Sequence, residues 1–425
     1  MTLLPLAIGK ISTFIITKLL GRNASTWPGH LALKINAHFI KNVIQKNPQL
    51  KIIFIAGTNG KTTTTKALNH ILQEDSISVI RNRAGANLMN GFASLIIKHA
   101  NIQGKIPRDA VLFEVDENAL PKLVKQVKPQ AIILLNLFRD QLDRFGEINT
   151  IAEKWENALQ KTENTLLIAN ADDPQIVKIT KQKRVHYFTI PNKLKTEKSL
   201  SHAIDSTLCP NCQSELTYSR IAYSHIGNFS CPKCGFKNPK ALNIDIKTTL
   251  KGSFNTYNLT AAVLLSEKIF NIAPENSREK LNDFKPAFGR QEIIDIQGKN
   301  VLILLSKNPT GFNESLKVMS NNNYSHSLII LNDRVPDGRD ISWIWDVDFE
   351  LLGKNSHTTI SGDRTYDMSN RLLYAGMKNI HASKDLKKAL QSAIKRTPKG
   401  ETIAILATYS GMLEVRKLLT GKSIL

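Results

Sequence analysis

Apolar and polar positions along this 425-residue chain fall into two alternating regimes. Short apolar, often β-branched runs read as buried strands. They are Ile52–Ala56, Ala110–Val115, Ala131–Leu137 and Thr165–Ala169, then Val301–Leu305, Ser327–Leu331, Thr358–Ser361 and Ile403–Thr408. Between them apolar residues recur at helix spacing, as Ala67, Leu68, Ile71 and Leu72 do. Strands alternating with helices predict mainly parallel sheets covered by helices on both faces, and such sheets bind ligands at the C-terminal ends of their strands. Three polar clusters fall at those ends: Glu114–Glu117, Asn136–Arg144 and Asn170–Pro174.

The pattern divides the chain. Residues 1–20 read as an amphipathic helix packed on the body, with contact to a membrane surface as the alternative. A second helical pattern runs over 28–48, after Pro28-Gly29. A polar, Lys-rich boundary covers 181–208, and Phe288-Gly289-Arg290-Gln291-Glu292 marks another. We expect an N-terminal helical segment (1–48), a central nucleotide-binding α/β domain (49–293) and a smaller C-terminal α/β domain (294–425).

Composition adds three points. Hydrophobic content of 42% suffices for packed cores. Lys+Arg exceed Asp+Glu by 57 − 36 = +21, a balance that suits nucleic acid, an anionic membrane face or a polyanionic substrate, or reflects a lysine-rich proteome. The four cysteines, Cys209, Cys212, Cys231 and Cys234, share one short window. That leaves none for a disulfide elsewhere and fits a reducing cytoplasm. No apolar run reaches transmembrane length, and the first residues lack the basic leader and cleavage site of a signal peptide.

The stretch Ile52-Ile53-Phe54-Ile55-Ala56-Gly57-Thr58-Asn59-Gly60-Lys61-Thr62-Thr63 joins a strand to a helix through a Gly-rich turn. Such a turn aims backbone N–H groups and a helix N-terminus at phosphate. Lys61 adds positive charge, and the Thr62 hydroxyl can ligate Mg²⁺. This predicts a nucleoside triphosphate site. One strand over, Glu114 is the first choice to hold the metal, with Asp116 and Glu117 behind it.

Cys209-Pro210-Asn211-Cys212 and Cys231-Pro232-Lys233-Cys234 are two Cys-x₂-Cys knuckles at zinc-ribbon separation. A Cys₄ site leaves no open coordination position, so this Zn²⁺ is structural. Tyr218, Tyr223 and Phe229 are expected to pack on the ribbon hairpin. The ribbon spans about 205–240 and reads as an insertion in the central domain. After it, Asn255 and Asn258 stand i, i+3 at a helix start, where they suit the edge of an adenine or simply cap the helix. In the C-terminal domain, Asn332–Glu350 places two of the four Trp beside a run of acidic residues. That combination favours an interface or a site over a solvated loop.

Taken in order, Gly57–Thr64, Asn170–Pro174, Gly252–Asn258 and Phe288–Glu292 resemble the ATP-dependent Mur ligases, a family that also includes folylpolyglutamate synthase. The resemblance covers residues 50–425 and implies a Mur ligase-like α/β fold: a central P-loop domain, here carrying the Cys₄ ribbon, and a C-terminal Rossmann-like domain, with ATP between them. It implies that Gly57, Thr58, Asn59, Gly60, Lys61, Thr62 and Thr63 cradle phosphate. Thr62 and Glu114 would bind Mg²⁺, Asn255 and Asn258 lie near adenine, and Arg290 reaches the phosphates. Three departures narrow the match: Asp140-Gln141-Leu142-Asp143 lacks the usual metal-binding His, a ribbon is inserted, and Leu305–Asn313 replaces the usual Asp-Tyr-Ala-His segment. They are similar to the amidating branch of the family. Lys154-Trp155 stands near the position where many members carry a carbamylated Lys, one residue closer to the motif than expected.

The branch resemblance implies amidation of the D-glutamate α-carboxyl in the lipid II stem peptide through an acyl phosphate. Ammonia normally comes from glutamine through a Cys nucleophile, and every Cys here is committed to zinc, so amidation requires a partner. The resemblance makes that partner a GatD-like glutaminase in a heterodimer, to whose Cys–His pair this chain lends an Asp. Asp346 is the first candidate, ahead of Asp348. The expected location is cytoplasmic, with the inner membrane face as an alternative station. Two rivals remain at this stage. One is a Mur or folylpolyglutamate-type ligase that adds an amino acid without a glutaminase; the replaced His weighs against it. The other is a nucleic-acid-binding ATPase, against which stands the lack of a basic stripe interleaved with stacking aromatics.

Overall fold

The computed structural model describes residues 2–82, 85–140, 148–181, 183–191, 204–285, 289–353 and 356–421. Gln141, Leu142, Asp143, Arg144 and Phe288, all part of the motifs above, lie outside them. The N-terminal layer consists of α1 (Leu3–Phe14), which runs on into a π-helical turn (Ile15–Leu19), α2 (Trp27–Ile35) and α3 (Phe39–Ile44). The single helical pattern over 28–48 is thus two helices. Asn36 leaves helical geometry at φ −145°, ψ 104°, and its side chain accepts from the His38 N–H at 2.9 Å, which breaks the run.

The central sheet is built from β1 (Lys51–Ala56), β2 (Val79–Arg81), β3 (Ala110–Val115), β4 (Ala131–Leu134), β5 (Leu166–Asn170) and β6 (Val185–Thr189). An excursion then forms the β7–β8 hairpin (Thr217–Tyr223 and Ile226–Ser230), after which β9 (Leu242–Asn243) adds to the sheet edge. The spatial order β2-β3-β1-β4-β5-β6-β9 is parallel throughout. Strand period 2 sorts β1 between two cores. Ile52, Phe54 and Ala56 pack beneath α2, α3 and α5 (Met89–His99). Ile53 and Ile55 pack beneath α4 (Lys61–Glu74) and the helix Ser253–Phe270. Phe54 meets Phe92 and Phe113 at ring separations of 5.9 and 6.4 Å, and burying each such ring stabilises by roughly 1.5–3 kcal/mol.

The second sheet holds β10 (Arg290–Ile296), β11 (Lys299–Leu305), β12 (His326–Ile330), β13 (His357–Ser361), β14 (Ile380–Ala382) and β15 (Thr402–Ala407), in the order β10-β11-β15-β12-β13-β14. Only β10, at the edge, is antiparallel. It begins on a bulge at Gln291, which takes φ +61° and bonds both ways to the Lys251 backbone, at 2.8 and 2.6 Å. Arg290 is therefore held where the two sheets meet.

Four local expectations change. The run Ala131–Leu137 leaves the ladder after Leu134, because Asn136 turns aside to brace the phosphate loop. The stretch read as a boundary contains β6, whose five residues continue the sheet. Tyr218 and Phe229 pack on the ribbon as expected, but Tyr223 is buried in the central core. Asn170–Pro174 crosslinks the fold: Asp173 caps the helix Pro174–Thr180 and accepts from the Leu137 N–H at 2.8 Å.

Candidate active site

Strand β1 ends at Ala56, and the chain turns through Gly57–Gly60 into the first turn of α4. Gly60 has φ +92°, a conformation that a side chain strains, and a Cβ there would stand 2.0 Å from the Asn258 amide oxygen. Asn136 clamps the turn: its carbonyl accepts from the Thr58 N–H at 3.0 Å and its amide oxygen from the Asn59 N–H at 2.9 Å. The N–H groups opening α4 have no partner within the helix, and the dipole there favours an anion. Lys61 folds back to the Gly57 carbonyl at 2.5 Å and to Glu117 at 3.2 Å.

Carboxylates gather beside this cradle. The Thr62 hydroxyl donates to Glu114 at 2.7 Å, which brings together the two residues expected at a metal. The second oxygen of Glu114 is buried without a partner, as is one oxygen of Asp140. Buried carboxylate oxygens of this kind are ready acceptors for a hard cation, so the residues fit Mg²⁺ on a triphosphate.

Across the cleft, the C-terminal domain supplies cations. Lys307 pairs with Asp140, and Asn308 donates to the Asn59 side chain at 3.2 Å. Burial opposes charge on Lys307, but Asp140 and Glu117 outweigh it and raise its pKa above the ordinary value, so it stays an ammonium. Burial pushes the Arg290 guanidinium down, while Glu114 and Tyr409 pull it back up.

These groups line one cavity of about 310 Å³. It also takes in Thr63, Asn255, Asn258, Tyr223, Phe254 and Tyr409. Tyr223 and Phe254 meet edge to face at 6.4 Å, giving the cavity an aromatic side next to the two Asn. All the predicted phosphate, magnesium and adenine residues line it except Gly57, which accepts from Lys61 just behind. Lys307, Asn308, Asn136, Tyr223, Phe254 and Tyr409 had no part in the sequence-based site. Lys154 is exposed and does not line the cavity, whereas its neighbour Trp155 is buried and donates to the Glu117 carbonyl at 2.8 Å.

The acidic-aromatic stretch forms two 3₁₀ turns, Ser342–Asp346 and Phe349–Leu352. Asp346 is partly exposed and lies 3.2 Å from Arg139 of the central domain. The other carboxylates of the stretch make local contacts, Asp340 among them through the Ser342 N–H at 2.8 Å. Asp348 exchanges two 2.8 Å hydrogen bonds with Asn313, and the buried Asp337 accepts from the Ser410 N–H at 2.8 Å. Beside Asp346, Trp345 and Tyr374 meet at 5.4 Å and are 52% and 80% exposed, an aromatic patch open to solvent.

The four cysteine sulfurs of the ribbon lie within 4.8 Å of one another, with 3.6 Å between Cys209 and Cys234 and 3.5 Å between Cys212 and Cys231. Four thiolates around zinc at about 2.3 Å stand about 3.8 Å apart, so the cluster fits a Cys₄ ion.

The comparisons agree with this geometry. The family model of the Mur ligase middle domain matches residues 55–266, and that of the MurT ligase C-terminal matches residues 305–412. The chain is 34% identical over 416 residues to the lipid II isoglutaminyl synthase (glutamine-hydrolyzing) subunit MurT of Staphylococcus aureus (strain COL), covering 92% of this chain and 91% of that one. It is 30% identical to the subunit of the same name from Streptococcus pneumoniae (strain ATCC BAA-255 / R6), covering 100% and 98%. A pseudomurein peptide ligase type C from Methanothermus fervidus shares the fold, with a TM-score of 0.70 at 21% identity over 90% of this chain and 81% of that one. The phosphate cradle, the two sheets around it and the near full-length likeness together show that the chain belongs to the MurT family of Mur ligases, which are ATP-dependent ligases.

Proposed function

We propose that this chain is the synthetase subunit of a glutamine-hydrolysing amidoligase that converts the D-glutamate α-carboxyl of the lipid II stem peptide to D-isoglutamine. One observation carries the reading: a single cavity sets Lys61, Thr62 and Glu114 of one domain against Arg290 and Lys307 of the other. An acid-to-amide conversion needs that arrangement. The substrate carboxylate oxygen bonds to the γ-phosphorus of ATP as ADP leaves. Ammonia then adds to the acyl carbon, phosphate departs, and the nitrogen loses a proton. The chain's part is to hold two anions together and neutralise their charge, which Lys61, Arg290 and Lys307 do directly. Mg²⁺ held by Thr62 and Glu114 adds to that neutralisation, and Asn255 and Asn258 with Tyr223 and Phe254 hold the base.

All four cysteines are gathered in the ribbon, which supports a structural Zn²⁺ and leaves the glutaminase chemistry to a GatD-like partner. The exposed Trp345–Tyr374 patch beside Asp346 suits its docking, with Asp346 completing the partner's Cys–His pair. The domain limits follow as 1–48, a central domain with its ribbon at about 205–240, and a C-terminal domain. Pairing of β10 with β11 favours ending the central domain at Gly289 rather than 293. Among the described residues no helix is long and apolar enough to cross a membrane, and a lipid-linked substrate puts the work at the cytoplasmic membrane face.

The test is reconstitution with a glutaminase of that class, a lipid II substrate, ATP and glutamine, read by mass spectrometry. Replacement of one carboxyl OH by NH₂, dependent on both ATP and Lys61, is expected. An amino acid adduct, or turnover indifferent to Lys61→Ala, overturns the reading.

A further inference from the structure

The N-terminal layer has a second apolar side that the fold leaves uncovered. Helix α1 turns Pro5, Leu6 and Gly9 inward, and Gly9 lets it approach α5 so closely that a Cβ there would meet Ile97 at 2.6 Å. On the outside, Leu4, Ala7, Ile11, Phe14 and Lys18 recur at three- and four-residue spacing along α1 and its π-helical turn, all exposed. Phe14 is 59%, Leu19 70% and Trp27 64% exposed. Large apolar side chains left exposed in a row along one helix mark a contact surface more often than a free one.

Charge says what covers it. The first 73 residues contain no Asp or Glu, while Lys10, Lys18, Arg22, Lys34, Lys41 and Lys46 are spread through the first 50. Residues 76–108, which include the whole of α5, also lack any carboxylate. Two copies meeting through this strip would press basic layers together with nothing to pair them. An apolar strip edged by basic side chains alone matches an interface that is oily inside and anionic outside.

We propose that the outer side of α1, its π-helical turn and Trp27 rest on an anionic lipid bilayer, lying in the headgroup layer. Leu4, Ile11, Phe14 and Leu19 enter the acyl boundary while Lys18 and Arg22 reach lipid phosphates. The helix α5, on which α1 and α2 pack, begins beside Leu88, a wall residue of the cavity. The bilayer-facing layer is thus one helix away from the site. This deepens the lipid-linked reading, but its test uses no substrate, so the two fail separately.

The test is flotation of the full chain with vesicles of phosphatidylcholine alone or mixed with phosphatidylglycerol. Wild type floats with the mixed vesicles and far less with phosphatidylcholine, and added salt weakens it. The exposed triple variant L4S/F14S/L19S loses at least tenfold of its bound fraction with an unchanged thermal melt, and K18E/R22E loses binding to the anionic vesicles. Failure of wild type to float, or equal flotation of the triple variant, overturns the proposal. So does a dimer in sedimentation velocity that Phe14→Ser dissolves while no flotation occurs, which would give the strip to a second copy. Flotation of the free chain that disappears in the complex with its glutaminase would give the strip to that protein and overturns it equally.

Discussion

Replacing Asp346 by Asn separates two roles that differ by orders of magnitude. In the isolated chain the Asp346 carboxylate sits 3.2 Å from Arg139, and both side chains are partly exposed, at 40% and 30%. An ion pair in that setting contributes roughly 0–1 kcal/mol. In a chain of this size, losing it should lower the melting midpoint by less than about 2 °C. A carboxylate that orients and steadies a catalytic histidine cation is worth far more: its loss to Asn costs on the order of 10⁴ in turnover, about 5.5 kcal/mol of barrier. With the glutaminase present, Asp346→Asn should thus fold and bind ATP normally, yet lose glutamine-driven amidation about 10⁴-fold. Ammonium at high pH should restore the product, because it enters after glutamine hydrolysis. The assay is product formation with each nitrogen source, beside a thermal melt. Equal loss with ammonium would refute the reasoning, since it would put Asp346 in the ligase site. Full activity with glutamine would refute it too.

Other substitutions probe the remaining parts. Gly60→Ala should weaken ATP binding at least about tenfold, since the left-handed backbone costs roughly 1–2 kcal/mol and Asn258 must swing away; unchanged affinity by calorimetry would remove the cradle assignment. Lys307→Met should lower amidation with glutamine and ammonium alike and destabilise the fold, because the buried Asp140 carboxylate, already pushed up by burial, loses its cation. Adding Asp140→Asn should recover much of that stability, and strictly additive losses in denaturant melts would argue against the pair. Purified protein should hold a single zinc, which Cys209→Ser should release with a drop in stability, and metal analysis that finds none in freshly prepared reduced protein would sink the ribbon.

The parts legible in the sequence are those whose chemistry is local. Gly57–Thr63 is a strand, a turn and a helix start within one short stretch, and the cysteine knuckles announce themselves by spacing. Lys307, Asn308 and Tyr409 reach the same cavity from a domain whose own pattern carries no phosphate signal. Their position depends on how two sheets meet, which no periodicity records. Strands β2 and β14 are three residues each, too short for alternation to register. Asn170–Pro174 misled in an instructive way. A polar cluster at a strand end suits a ligand, yet here Asp172 bonds Thr189 at 2.6 Å and pairs with Arg220 at 3.4 Å, while Asp173 caps a helix. Tyr223 misled because its neighbours in sequence belong to the ribbon, while its ring belongs to the central core.

That position of Tyr223 has a thermodynamic consequence. The strand that leaves the cysteine cluster as β7 ends in a residue that walls the same cavity as the phosphate loop. Whatever free energy an ion held by the four cysteines lends to keeping Tyr223 in place would reappear, by reciprocity, as tighter retention of that ion when nucleotide occupies the cavity. With zinc in the ribbon, metal supply and nucleotide supply would not be separate requirements of this enzyme. A cell short of zinc would see its demand for ATP at this step rise, and one rich in ATP would defend the metal longer against chelation.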